Sequence, residues 1–277
     1  MQRRAAVLGS PIAHSRSPLL HRAAYQSLGL DWSYDAIEVR EGELLSFLQA
    51  CGPEWVGFSL TMPLKDEAWA LAEVRDEVAE RTQCANTLLR HGGGWHAVNT
   101  DVSGLVTAVH EFSRMQSSQP ITTAVIIGSG ATARSASAAA AALGAEHVIV
   151  RARNVDAAHA VAAVARACGV SRVEAGPLAE LSDALRDADL CVSTLPGSAA
   201  TELVAYFGDT WSERPQGSVL VDVAYDPWPS RLAQAWQPGL TISGLDMLLW
   251  QAVAQVELMT GQRPVVADMQ HALHERK

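Results

Sequence analysis

The sequence predicts an α/β protein made of two α/β domains, each carried on a largely parallel sheet, with helices at the C-terminal end. Three observations lead there. Short apolar runs rich in strand-forming residues alternate with longer Ala- and Leu-rich stretches, the pattern of βαβ units. The alternation breaks at SRMQSSQPIT, where Ser, Gln and Pro mark a linker, and then restarts without repeating the first half. A length of 277 residues with 48% hydrophobic content is enough to bury a substantial core in each domain. The expected boundaries are 1–104, 105–242 and 243–277.

The elements follow in order. AAVLG reads as a strand, PLLHRAAYQSLG as a helix, WSYDAIEV as a strand, EGELLSFLQA as a helix, WVGFSL as a strand and PLKDEAWALA as a helix. NTLLRHGGGWHAVNT is different: two β-like runs flank Gly92, Gly93 and Gly94, so a hairpin or strand pair is expected to close the first sheet. A helix from about Ser103 to Phe112 leads into the linker. Beyond it come the strand of TAVIIGSG, an alanine-rich helix, the strand of HVIVRAR, another helix, and the strands of LCVSTLP and GSVLVDVAY. LDMLLWQAVAQVELMTG is apolar all round and is expected to be a helix packed on several sides.

Charge and cysteine usage exclude several classes. A net charge of -9 and a pI near 5.4 argue against a nucleic-acid surface or a polybasic membrane contact, since both need clustered cations. Any anionic ligand must then be held by local donors. No segment has about 18 consecutive uncharged apolar residues, so no membrane span is expected. Gly9, Pro11 and His14 break the apolar run that Arg3 and Arg4 would need in a signal peptide. Four cysteines without a C-x-x-C pair suggest reduced thiols in a cytoplasmic protein, with no metal site. Monomer and homodimer are both open.

The second half carries a glycine loop. Gly128-x-Gly130-x-x-Ala133 lies between an apolar strand and a helix, where one glycine makes the tight turn, the next lets backbone approach a pyrophosphate and Ala permits helix packing. The helix N-terminus adds amide donors and a positive dipole end. At the end of the next strand an NAD site would usually place Asp or Glu, yet this chain reads Arg151-Ala152-Arg153-Asn154. Two cations there suit the 2′-phosphate of NADP; the alternative is a pair of exposed strand-end arginines without a ligand.

In the first half one cation stands out. Lys65 is the only lysine before the terminal Lys277, among nineteen arginines. Pro63 fits the first turn of a helix after WVGFSL, which puts Lys65 in that turn, where the dipole disfavours an ammonium. A general acid or base uses such tuning, and arginine does not release its proton near neutral pH. A solvated surface amine is the competing reading. Asp101 precedes a helix and suits an N-cap. Ser15 and Ser17 either cap the helix after Pro18 or offer hydroxyls to a small polar ligand. His14, His21, His271 and His274 are read as structural or solvated.

GSPIAHSRSPLLH, GFSLTMPLK, CANTLL, NTDVSG, GSGATAR, DVAYDPWPSRL and GLDMLLWQAVAQVELMTG, in this order and across nearly the whole chain, resemble the signature segments of the shikimate dehydrogenase family. The resemblance implies an N-terminal substrate domain completed by the C-terminal helices, with a Rossmann-type NADP-binding domain inserted between them. It implies Lys65 and Asp101 as the catalytic pair, and Ser15, Ser17, Thr61, Asn86, Tyr225 and Gln251 as substrate contacts. It implies Gly128, Ser129, Gly130, Ala131, Thr132, Ala133, Arg134 and Arg153 as NADP contacts, joined by Arg151, Asn154, Thr194 and Gly244. The implied activity is the reversible, NADP-dependent reduction of 3-dehydroshikimate to shikimate in aromatic amino-acid biosynthesis. An NAD-linked quinate enzyme and an inactive NADP-binding regulatory protein are the alternatives. Three positions depart from the family pattern: Ala131 and Asp246 stand where glycine is usual, and Ala152 where asparagine is. The Asp246 carboxylate either repels an anionic substrate or faces solvent.

Overall fold

The computed structural model describes residues 2–116, 120–208, 211 and 214–274, so 117–119 of the expected linker lie outside the described residues. The chain divides into two units, Met1–Gly104 with Leu248–Lys277, and Leu105–Met247.

The first unit begins β1 (Arg3–Gly9), α1 (Ser17–Ser27), β2 (Trp32–Glu38), α2 (Leu44–Ala50), β3 (Trp55–Leu60) and α3 (Lys65–Leu71), as the alternation predicts. It continues β4 (Val74–Arg75), α4 (Glu77–Thr82), β5 (Thr87–His91) and β6 (Gly94–Val98), and α5 (Asp101–Gln116) follows. The six strands lie in the order β2-β1-β3-β5-β6-β4. β1 runs parallel to β2 and β3, whereas β5 is antiparallel to β3 and β6. The central strands β1 and β3 are covered on both faces, which is why AAVLG reads as an unbroken apolar run and WVGFSL is interrupted only by Ser59, whose hydroxyl is hydrogen-bonded. Phe58, Leu8, Leu88 and Trp95 pack in the resulting core.

The hairpin does not close this sheet. β4, only two residues long and set in a charged stretch, pairs with β6 and forms the edge. So short an edge offers little for another chain to pair with. α5 also runs four residues past the expected end, to Gln116, taking up the start of the linker stretch.

The second unit contains β7 (Thr123–Ile127), α6 (Ala131–Ala142), β8 (His147–Ala152), α7 (Val155–Ala167), β9 (Arg172–Pro177), α8 (Leu181–Leu185), β10 (Leu190–Ser193), α9 (Gly197–Phe207), β11 (Val219–Asp222), α10 (Arg231–Ala235) and β12 (Leu240–Ser243). All six strands are parallel in the order β12-β11-β10-β7-β8-β9. That is the doubly wound arrangement, whose order reverses between β7 and β10, where ligands bind in such sheets. The buried face of α6 is only alanine and serine, including Ala133, Ala136, Ala139 and Ala140, and Ser137 Oγ donates to Val161 O of α7 at 2.9 Å. Small side chains let the two helices approach closely.

Two helices end the chain, α11 (Gly244–Thr260) and α12 (Val266–His274). Within the first unit α12 packs against α1, and Arg16 Nη1 donates to Leu273 O at 3.5 Å. Among the described residues no helix is long and apolar enough to cross a membrane.

Candidate active site

The polar site of the first unit gathers where β3 ends and α3, α5 and α11 supply side chains. α3 begins at Lys65 itself, and Pro63 lies in the preceding turn rather than in the helix; Leu64 N donates to Thr61 O at 2.9 Å across that turn. Lys65 Nζ donates to Asp101 Oδ2 at 2.6 Å, with side-chain exposures of 12% and 5%. A surface amine is therefore excluded. The capping reading of Asp101 is also corrected: Asn99 Oδ1 takes Asp101 N at 3.0 Å, while the Asp101 carboxylate is spent on Lys65 and on Asn86 Nδ2 at 2.8 Å. Asn86 Nδ2 lies 3.2 Å from Gln251 Oε1 as well. The Asn86 carboxamide has one possible orientation, because its Oδ1 accepts the main-chain N–H of Thr100 at 2.8 Å. Thr100 was not singled out in the sequence, although it sits inside the NTDVSG segment.

Lys65, Asp101, Asn86 and Gln251 thus form one connected set. Thr61 is half-buried directly after β3. Ser15 Oγ accepts Ser17 N at 3.4 Å, a long contact at the start of α1, and the buried Ser17 has no hydroxyl partner among the described residues. Capping accounts for little of either serine. Tyr225 follows β11 in the second unit and is half-buried.

In the second unit Gly128 ends β7 with φ at +121°, and a Cβ there would stand 2.3 Å from Thr194 Oγ1. Both facts demand glycine. Thr194 Oγ1 donates to Ile127 O at 2.9 Å, which holds the end of β10 against β7 beneath the loop. Gly130 begins α6 without a side-chain cap, and its position is open, with nothing within 4 Å of an added Cβ. Beside it lies a cavity of about 420 Å³ bounded by Gly128, Ser129, Arg153, Asn154 and, from α9, Leu203 and Tyr206. A glycine at the helix start, bare backbone at Gly128 and an exposed arginine are the donor set that a dinucleotide phosphate needs, so the residues present fit NADP. The α9 wall carried no sequence signal, since Leu and Tyr there read as ordinary helix residues.

Arg151 does not belong with this set. It pairs with Gly176 in the β8–β9 ladder, and its buried guanidinium faces Glu180 at 3.5 Å and Glu174 at 3.9 Å. Still inside the strand, it points where the ladder directs it, whereas Arg153 lies past the strand end and is exposed. Asn154 borders the cavity, but its Oδ1 accepts Ala157 N at 3.1 Å and so caps α7. Gly244 lies against the main chain of Val223, whose carbonyl oxygen would be 2.1 Å from an added Cβ; its glycine is required by packing.

Residues 7–88 match the shikimate dehydrogenase substrate binding domain, residues 244–274 the shikimate 5'-dehydrogenase C-terminal domain, and residues 101–228 the alanine dehydrogenase/PNT C-terminal domain. The shikimate dehydrogenase (NADP(+)) of Rhizobium rhizogenes is 34% identical over 282 residues, covering 96% of this chain and 92% of the relative. The chain belongs to the shikimate dehydrogenase family. Among solved structures, the family member from Mycobacterium tuberculosis superposes with a TM-score of 0.86 at 42% identity, covering 98% of both chains. The Thermus thermophilus shikimate 5-dehydrogenase in complex with NADP(H) and shikimate gives 0.79 at 29% identity, again covering 98% of both.

Against the family pattern, Asp246 has a structural task. Its Oδ2 accepts Ser243 N at 3.2 Å while Ser243 Oγ accepts Leu245 N at 3.2 Å, a reciprocal cap on the start of α11. The carboxylate is exposed. Ala152 is buried and borders the cavity.

Proposed function

We propose that this enzyme catalyses the reversible reduction of 3-dehydroshikimate to shikimate with NADP(H), in the cytoplasm, as a monomer or homodimer. The observation that carries the reading is the nearly buried Lys65–Asp101 pair, joined through Asn86 to Gln251.

Lys65 carries the transferable proton at Nζ. Asp101 holds Nζ in one place, and the ammonium interacts more strongly with the alkoxide forming in the transition state than with the ketone. Nζ then gives up its proton, and in the oxidative direction it takes the proton from the hydroxyl. The Asn86 carboxamide is already engaged at both ends and orients Asp101 and Gln251 beside the substrate, while Gln251, with one N–H on Leu248 O and its oxygen facing Asn86, keeps one N–H and one lone pair for a ring hydroxyl. Ser15 and Ser17 add hydroxyl donors, which bind the ring carboxylate without adding charge, and Thr61 adds a further hydroxyl to the substrate. NADP(H), when bound, supplies or accepts the hydride. The Gly128–Arg134 main chain would hold its pyrophosphate and Arg153 its 2′-phosphate, with Thr194 supporting the loop from below. Cytoplasmic placement is supported by four cysteines that form no disulfide.

The test is steady-state oxidation of shikimate and of quinate, each with NADP and with NAD. Shikimate with NADP should give the highest kcat/KM. A higher value for quinate with NAD, or no turnover in any combination, overturns the proposal.

A further inference from the structure

The hydrogen bonds around Asn86 continue into the core of the first unit. Gln255, one turn beyond Gln251 on α11, is fully buried, and its Nε2 donates to Asn86 O at 3.1 Å and to Thr87 Oγ1 at 2.8 Å. Thr87 Oγ1 donates to Asn86 Oδ1 at 2.9 Å. On its other side Gln255 Oε1 accepts Ser59 Oγ at 2.7 Å and faces His21 Nε2 at 3.2 Å, and Tyr34 OH donates to Ser59 Oγ at 2.6 Å. Tyr34 also stacks on the His21 ring, centroids 3.9 Å apart.

Every direction in this chain of bonds follows from main-chain groups. Thr100 N makes Asn86 Oδ1 an acceptor, so Thr87 donates to it and must accept from Gln255 Nε2. The Gln255 oxygen then faces Ser59 and His21, which puts the ring proton of His21 on Nε2. Burial pushes the His21 pKa down to about 3, against a smaller opposing effect of the Gln255 bond, so the ring stays neutral.

We propose that Gln255, held by His21 and Ser59, is a positioning residue for the reaction: through Thr87 it adds a second hold, beside that of Thr100 N, on the Asn86 oxygen and so fixes where Nδ2 meets Asp101 and Gln251. Without that second hold the carboxamide, kept in its orientation by Thr100 N alone, would tilt about this bond and loosen the partner of Lys65. The inference rests on the proposed reaction for its kinetic readout.

The test compares Thr87→Val, which keeps the shape and removes the hydroxyl, with Thr87→Ser, which restores it, and adds Gln255→Met. Thr87→Val and Gln255→Met should each lower kcat on shikimate about 10-fold, the scale of a small misplacement of a reacting group, and Thr87→Ser should stay within about twofold of wild type. Melting temperatures identify variants that have not folded. Side-chain amide signals of Asn86 in ¹⁵N NMR spectra give a readout independent of turnover: Thr87→Val should shift them and Thr87→Ser should not. If wild type does not oxidise shikimate, the proposed function falls and these signals alone decide the positioning role. A folded Thr87→Val with wild-type signals, a folded Gln255→Met with undiminished kcat, or a Thr87→Ser as impaired as Thr87→Val overturns it.

Discussion

Where the first unit commits side chains, with Asp101, Asn86, Gln251 and Gln255 all buried and each tied to another, the second unit presents main chain: a left-handed glycine and an open Gly130 at the start of a helix. The difference lies in what each ligand asks of the protein. A proton must be delivered at one atom, so its donor is fixed by a network in which each member has few alternatives. Phosphates accept hydrogen bonds from many directions, and backbone amides serve them whatever side chains the loop carries. Single changes should register as lost kcat in the first unit and as altered cofactor preference in the second.

The largest effect should come from Lys65. Lys65→Ala should lower kcat by about 10²- to 10⁴-fold with a far smaller change in substrate affinity, and Lys65→Arg should fare nearly as badly because the charge survives without the transferable proton. A Lys65→Ala enzyme above about a third of the wild-type kcat would erase the contrast between the units.

Next comes acid stability, again in the first unit. His21 has a folded pKa near 3 against an ordinary 6.5, so between those values the unfolded chain binds a proton that the folded one refuses. Stability should fall as pH drops through this window, by on the order of 4 kcal/mol at its lower end. His21→Phe keeps a ring beside Tyr34 and cannot titrate. Its melting temperature, lower at neutral pH, should fall less steeply from pH 6.5 to 3 than that of wild type; parallel curves would contradict the assignment.

In the second unit one side chain is expected to matter. Arg153 should favour NADP over NAD by roughly 10- to 150-fold, nearer the lower figure now that Arg151 is committed to Glu180 and Glu174. Arg153→Asp should reverse much of that preference, and kcat/KM for both cofactors at saturating shikimate measures it. A wild-type ratio at or below one breaks the comparison at its cofactor side. The smallest effect belongs to Asp246→Ala, which should lose about 0.5 to 1 kcal/mol of stability with the cap and leave kcat within twofold, as melting and turnover together would show.

What could be read in the sequence follows the same division. The glycine loop was legible because a φ of +121° at Gly128 leaves a mark in the residue type itself, and the buried parallel strands because they are apolar without interruption. Lys65 was legible through the scarcity of lysine elsewhere. Arg151 and Arg153 looked alike in sequence, and only the β8–β9 ladder shows that one is inside the strand and the other past it. Gln255 was hidden by its helix: amid apolar residues on every side, nothing local tells which partners a single carboxamide meets. Those partners, His21, Ser59, Asn86 and Thr87, are scattered over the chain and become neighbours only through the strand order.

The alanine face of α6 bears on how this sequence can drift. Its buried positions already carry almost the least side chain a helix can use, so truncation, the commonest route to a core defect elsewhere, has little left to remove at Ala133, Ala136, Ala139 or Ala140. Harm there comes from growth: even one added methyl must find room between helix and sheet. Serine, already present at Ser135 and Ser137, is the mildest exchange, since glycine would cost the helix about 1 kcal/mol, and lineages of this protein should retain small residues there long after the exposed positions of the same helix have been randomised.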